Sequence, residues 1–191
     1  MIPDVATCFQ LMERYRMLPN IMDHSLVVGR VAGLIGLGLQ RQGLDVSIEL
    51  IVAGALLHDI AKTQCLGNGA NHADQGRTIC LGHGFTELAD IVAEHVVLKD
   101  GVAARFCTEK EIVYYADKRV KHDQVVSLGE RLDYILEQYG KGDDRLCRLI
   151  RENFDHSRQI EEKIFQHLNF GPAELGGLVN CHSLELGKIR L

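Results

Sequence analysis

The stretch "LIVAGALLHDIAKT", residues 50–63, decides the fold. From Leu50 to Leu57 it is an unbroken apolar run. A helix that is apolar all round belongs inside a bundle rather than on its surface. His58 and Asp59 then follow side by side, with Lys62 one turn later. A carboxylate carried into a core is costly unless it is paired or bound to a cation. The stretch therefore sets two expectations: a helix fixed in the core, and a cation at its end.

Outward from this stretch, helical signals recur and few segments alternate with period two. Residues 4–18 form an amphipathic helix stopped by Pro19. Asn20 or Asp23 starts a second helix, which runs to about Gln42 with Gly43 as its stop. Gly29, Gly33, Gly36 and Gly38 lie inside it, and each costs about 1 kcal/mol relative to alanine in an exposed helix. Such a helix is expected at the centre, with neighbours pressed against the glycine face. Asp45 or Ser47 opens a third helix over 48–61, followed by the loop "KTQCLGNGAN". Asn71 caps a fourth, ending near 82–84, and Thr86 a fifth, "ELADIVAEHV". Thr108 with Glu111 forms a capping box for a sixth, "EKEIVYYADKRV". Ser127 with Glu130 forms another, for a seventh helix that reaches Tyr139. A charged helix spans about 143–168, and the tail from Gly171 reads as a short strand or an arm on a partner. The fold class is all-α: a core over 1–125, with a helical extension and tail over 126–191 packed on the same domain.

Composition narrows the function. With 191 residues, 46% of them hydrophobic and 25% charged, the chain suits one globular domain. A net charge of −5 argues against a broad nucleic-acid surface. An acidic protein can still bind anions if a metal supplies the positive charge. The most apolar stretch, "SLVVGRVAGLIGLGL", holds an arginine and is short for a bilayer. The six cysteines form no CxxC pair. Together with the charged N-terminus, they suggest reduced thiols in the cytoplasm and no membrane partner.

The nine histidines are more informative. A His-Asp pair alone proves little, since nine His and thirteen Asp give about 0.6 such pairs by chance. His122-Asp123, in the polar "KRVKHDQVV", is taken as chance. His58-Asp59 ends an apolar helix, and other helices offer matching groups: His24 before an apolar run, His72 at a helix start, His95 in "IVAEHVVL" and Asp117 in "IVYYADKRV". Five expected helices each supply His or Asp at an apolar or terminal position, as a metal in a bundle core requires.

This order resembles the HD-domain superfamily of metal-dependent phosphohydrolases over about residues 15–125. The signature of a His, then His-Asp, then a distant Asp matches His24, His58-Asp59 and Asp117. The words "DHSLVVGRVA", "LLHDIAKT", "NHADQGRTI" and "YYADK" fit as well. Histidines matching His72 and His95 mark branches with two metal ions. The nearest branch resembles the small bacterial hydrolases that split dinucleoside tetraphosphates symmetrically, from which this chain departs by its C-terminal extension. That extension is expected to close the pocket, alter the substrate or form a homodimer interface.

The resemblance implies an HD-domain helical bundle. His24, His58, Asp59 and Asp117 would surround a first ion, and Asp59, His72 and His95 a second. Imidazole and carboxylate suit iron or manganese, with zinc, cobalt and nickel also compatible. A cation-bound water becomes a nucleophile near neutral pH, so a nucleotide or other small phosphate is the expected substrate. Asp59 and Lys62 are the expected catalytic residues, and Lys62, Arg77 and Lys118 the expected substrate-binding cations. Asp23, Asp74 and Glu94 would orient ligands, and His83 could approach substrate. Two alternatives share the pattern: a di-iron oxygenase of the same fold, and a non-catalytic nucleotide-sensing domain.

Overall fold

A computed structural model describes residues 1–103, 106–181, 185–186 and 189–190. Helix α1 (Val5–Arg14) is capped by Asp4, whose side chain accepts from the Thr7 amide. It ends earlier than the sequence suggested, because Arg16 turns the chain at φ 52°. Pro19 does not merely stop α1; it opens α2 (Pro19–Arg41). The first helical position has no use for an amide hydrogen, so proline is well suited there.

Helix α3 (Ile48–Leu57), capped by Ser47, lies at the centre. Its Ile51 and Ala55 join one core cluster with Val28, Val31 and Ile35 of α2. Its Val52, Leu56 and Leu57 join a second with Cys8, Leu11 and Met12 of α1. Burial on two sides explains the unbroken apolar run. The glycine face of α2 is equally tight: a Cβ on Gly36 would stand 2.8 Å from Ile51 Cδ1. Helix α2 is long and apolar enough to cross a membrane by length and composition. Here Val28, Val31, Ile35 and Leu39 along it are buried against protein.

After α3 come a short α4 (Lys62–Cys65), α5 (His72–Gly82), α6 (Thr86–Glu94) and α7 (Glu109–Lys118). Thr86 is the first residue of α6 rather than its cap, which is Phe85. Both capping boxes form, at Thr108–Glu111 and Ser127–Glu130. Between α7 and the next helix the chain makes a small hairpin; only its first residue, Val120, fell in the expected sixth helix, and the polar stretch that follows had no element assigned to it. Strands β1 (Val120–Lys121) and β2 (Gln124–Val125) pair antiparallel around His122 and Asp123.

The extension holds α8 (Leu128–Ile135), a π-helical turn over Leu136–Gly140, α9 (Asp144–Phe165) and α10 (Leu175–Cys181). In the tail, β3 (Glu185–Leu186) pairs antiparallel with β4 (Ile189–Arg190). Phe154, Ile160 and Ile164 of α9 enter the same core cluster as α2 and α7. Polar contacts brace α7 from α9. Tyr114 donates to the Asn153 carbonyl at 2.6 Å, and Lys163 pairs with buried Glu111 at 2.8 Å. Arg119, buried just past α7, meets Glu161 at 3.1 Å and donates to the carbonyls of Val126 and Pro172. Thus α7, which carries Asp117, is held from behind by the extension.

Candidate metal centre

Five helices deliver six side chains to one point. His24 comes from the second turn of α2, and His72 opens α5 behind its Asn71 cap. His58 and His95 stand in equivalent places, as the C-terminal caps of α3 and α6. Asp117 lies near the end of α7. The chain does not continue α3 through Ala61 as expected. It breaks at His58, with short bonds from the Ile60 amide to Leu57 and from the Lys62 amide to Asp59. The break turns Asp59 inward beside His58 instead of sending it round a continuous helix.

Three of the histidines are oriented alike. Nδ1 donates to a backbone carbonyl in His24 (to His122, 2.8 Å), His58 (to Ala55, 2.6 Å) and His95 (to Val92, 2.6 Å). With the proton on Nδ1, each Nε2 offers a lone pair to the centre. These nitrogens face other acceptors. His24 Nε2 lies 3.1 Å from Asp117 Oδ1, and His72 Nε2 lies 3.1 Å from His95 Nε2. Asp59 spans the arrangement: Oδ2 is 3.4 Å from His58 Nε2, while Oδ1 is 3.2 Å from His72 and 3.5 Å from His95. The donor atoms of His24, His58 and Asp59 lie within 4.8 Å of one another, as do those of Asp59, His72 and His95.

Facing lone pairs repel unless a cation or proton lies between them. Donors about 2.1 Å from a metal and at right angles stand about 3.0 Å apart, which is close to the separations observed. Two buried atoms at the centre, His58 Nε2 and Asp59 Oδ1, have no hydrogen-bond partner among the described residues. They are the atoms that a cation would satisfy, so the donor set fits a divalent metal. Burial opposes charge on His58, yet Asp59 and Asp117 lift its pKa above the usual imidazole value. Burial likewise opposes charge on Asp59, but His58 and the other imidazoles hold it well below the usual carboxylate range. Burial lowers the His95 pKa to about 4, leaving it neutral and ready to donate.

The expected cations behave differently from one another. Lys62 stands at the rim, 37% exposed, with Nζ 2.7 Å from Asp59 Oδ2. Lys118 is not a surface cation. It is 6% exposed, donates to the His95 carbonyl, and meets Asp117 Oδ2 at 3.1 Å and the Tyr114 ring at 4.1 Å. It therefore braces α6 against α7 and is unavailable to a substrate. Arg77 is not brought to the centre. Five residues past His72 it points about 140° round the helix, and it pairs with Asp90 at 3.4 Å on the outer surface.

The supporting residues also need correction. Glu94 holds Lys110 and the Lys99 amide rather than a histidine. The side chains of Asp23 and Asp74 make no hydrogen bond to the cluster among the described residues. His83 meets Tyr15 Oη at 3.0 Å and stacks on Phe85, which ties α1 to the α5–α6 turn. His122, set aside on sequence, matters through its backbone. At φ 55° in the hairpin turn, it aims its carbonyl at His24. A carbonyl leaves no residue-type signal, so only the positive φ of a non-glycine marks the place.

The comparisons follow the same geometry. The HD-domain family profile matches residues 21–120, from α2 to the first hairpin strand. An uncharacterised protein of Methanocaldococcus jannaschii is 25% identical over 147 residues, covering 70% of this chain and 86% of its own. A tRNA (cytidine(56)-2'-O)-methyltransferase of Thermoplasma volcanium is 26% identical, over 65% of this chain and 40% of that protein. Ribonuclease Y of Lactobacillus helveticus is 26% identical, over 84% of this chain and 33% of that protein. The chain thus spans well under half of the latter two relatives. No solved structure matches. The match begins three residues before His24 and ends three after Asp117, and so contains all six converging side chains; the chain belongs to the HD-domain family, whose members are generally metal-dependent phosphohydrolases.

Proposed function

We propose that the chain is a metal-dependent phosphohydrolase acting on a nucleotide or another small phosphate ester or anhydride. One observation carries the reading: Asp59 presents a different oxygen to each of two histidine sets. Such a carboxylate suits a bridge between two divalent ions, iron or manganese by ligand type. His24, His58 and Asp117 would complete the first position, and His72 and His95 the second. Bound cations would lower the pKa of a coordinated water towards neutrality and draw charge from a phosphoryl group.

The chain's own residues supply the rest. The backbone carbonyls behind His24, His58 and His95 fix which nitrogen faces inward. Lys118 holds Asp117 and the end of α6 in register. Lys62 shares Asp59 Oδ2. With divalent ions held there, Lys62 would be released from that oxygen to meet a substrate phosphate at the rim. Asp59 would then orient the attacking water, and Lys62 would steady the phosphoryl oxygens. The reading includes a cytoplasmic setting, in keeping with the free thiols of Cys8, Cys65, Cys80, Cys107 and Cys147.

The test is phosphate release from a nucleotide panel by protein loaded with manganese or iron. Dinucleoside tetraphosphates, suggested by the resemblance, belong first in the panel. Release that disappears in Asp59→Asn is expected. No release from any phosphate, or oxygen consumption with an organic substrate in its place, refutes the reading.

A further inference from the structure

Helix α9 carries its apolar stripe past the end of the bundle. Its C-terminal part buries Phe154, Ser157, Ile160 and Ile164. Over Asp144–Arg151 no residue is buried, although the stripe continues. Leu146 is 38% and Leu149 50% exposed. They share a face with Asn153, all three within about 60° round the helix. The Asn153 side chain donates to the Val96 carbonyl at 2.9 Å. That bond sets the segment leaving His95 beside the stripe, and Val96 and Val97 are exposed there too. Four exposed aliphatic side chains from two distant segments thus gather within two turns of Asn153. A single exposed leucine is ordinary, whereas a grouped apolar patch marks a contact surface.

The charges beside the patch indicate what covers it. Arg145 and Glu152 are seven residues apart and share one flank, about 40–60° from Leu149. Both are exposed, and neither side chain pairs with any group among the described residues. Arg158, farther along the helix, has its partner within the chain, Asp155. Two copies of α9 crossing antiparallel between Arg148 and Leu149 would set Arg145 of one opposite Glu152 of the other. The two-fold axis repeats the pair, and the leucines meet between. The face is therefore complementary to itself in charge. A membrane surface matches it less well, because Asp143, Asp144, Glu152 and Asp155 are interspersed with the arginines and the chain carries −5 overall.

We infer that the chain forms a two-fold homodimer through this patch. The N-terminal half of α9 packs antiparallel on its copy, burying Leu146, Leu149, Val96 and Val97 and pairing Arg145 with Glu152 across the axis. The inference stands apart from the phosphohydrolase reading, since none of these residues belongs to the metal centre.

Sedimentation equilibrium of the full chain tests it by measuring the dimer dissociation constant. Wild type should pass from monomer to dimer below about 100 μM. Leu149→Asp should be monomeric, with the circular dichroism of the wild type, because an exposed leucine is not needed for the fold. Arg145→Glu and Glu152→Arg should each weaken the dimer about tenfold, as each exchanges two attractions for two repulsions. The double variant Arg145→Glu/Glu152→Arg should recover most of the wild-type affinity. Arg151→Glu makes the same charge change about 160° round the helix from Leu149 and should leave the dimer intact. A wild type that stays monomeric throughout overturns the inference. So does a dimer that survives Leu149→Asp, a double variant no tighter than the single ones, or an Arg151→Glu loss equal to that of Arg145→Glu. Monomers that bind anionic vesicles through Leu149 would overturn it in favour of a membrane.

Discussion

Asp59→Asn should empty both metal positions, whereas His72→Ala should empty only one. Asp59 is 1% exposed and belongs to each group of converging donors, while His72 belongs to one. Asparagine keeps the shape but loses the charge and one acceptor, so on the proposed two-ion reading neither ion would keep its bridge. Each ion stabilises the folded chain by about 2.7 kcal/mol when free metal is a hundredfold above its dissociation constant. For a chain of 191 residues, 1 kcal/mol moves Tm by about 2–4 °C. Wild type should therefore gain about 10–20 °C on metal addition, His72→Ala about half of that, and Asp59→Asn almost none. Thermal melts with and without manganese, beside metal counts per chain, read this directly. Retention of either ion by Asp59→Asn would refute the shared-carboxylate argument. An unaltered metal shift in His72→Ala would remove the second position.

Further outcomes follow from the same contacts. Lys118→Met should destabilise the metal-free protein by about 2–4 kcal/mol, because it takes the buried ammonium away from the half-buried Asp117 carboxylate; chemical denaturation in chelator checks this, and a change under 1 kcal/mol contradicts it. Arg77→Ala should leave turnover and metal content unchanged, since the arginine pairs with Asp90 on the surface; a rise in KM would return Arg77 to the site. His95 has a folded pKa near 4 against an ordinary 6.5. The unfolded chain thus binds the extra proton first, and the metal-free protein should lose stability as pH falls from about 6.5 to about 4, on the order of 3 kcal/mol from this group. Denaturation midpoints of wild type and His95→Gln across that range measure it, and parallel curves would contradict it.

The metal-ligand candidates were legible because each occupies a position that composition makes conspicuous. His58-Asp59 ends an apolar run, and His95 and Asp117 follow runs of their own. Helix α3 was legible because two-sided burial leaves no polar face to confuse its period. The capping boxes were legible because a side chain and an amide three residues on satisfy each other locally. What escaped depends on contacts distant in sequence. Lys118 reads as a surface lysine until α6 brings the His95 carbonyl to it. The hairpin after α7 is held partly by Arg119 reaching the Val126 carbonyl, which no local period records. The orienting role of His122 is carried by a backbone atom. The break at His58 was missed because good helix formers flank it, Leu56 and Leu57 before and Ala61 and Lys62 after, with no glycine or proline to mark it. The helix yields there so that the imidazole can turn back on the Ala55 carbonyl.

The most direct measurement is anomalous X-ray scattering from a crystal of the manganese- or iron-loaded protein. The account predicts two peaks about 3.5–4 Å apart. One lies among His24, His58 and Asp117, the other beside His72 and His95, with Asp59 between them. Peaks elsewhere on the surface, or a loaded crystal without a peak among these six side chains, would contradict it.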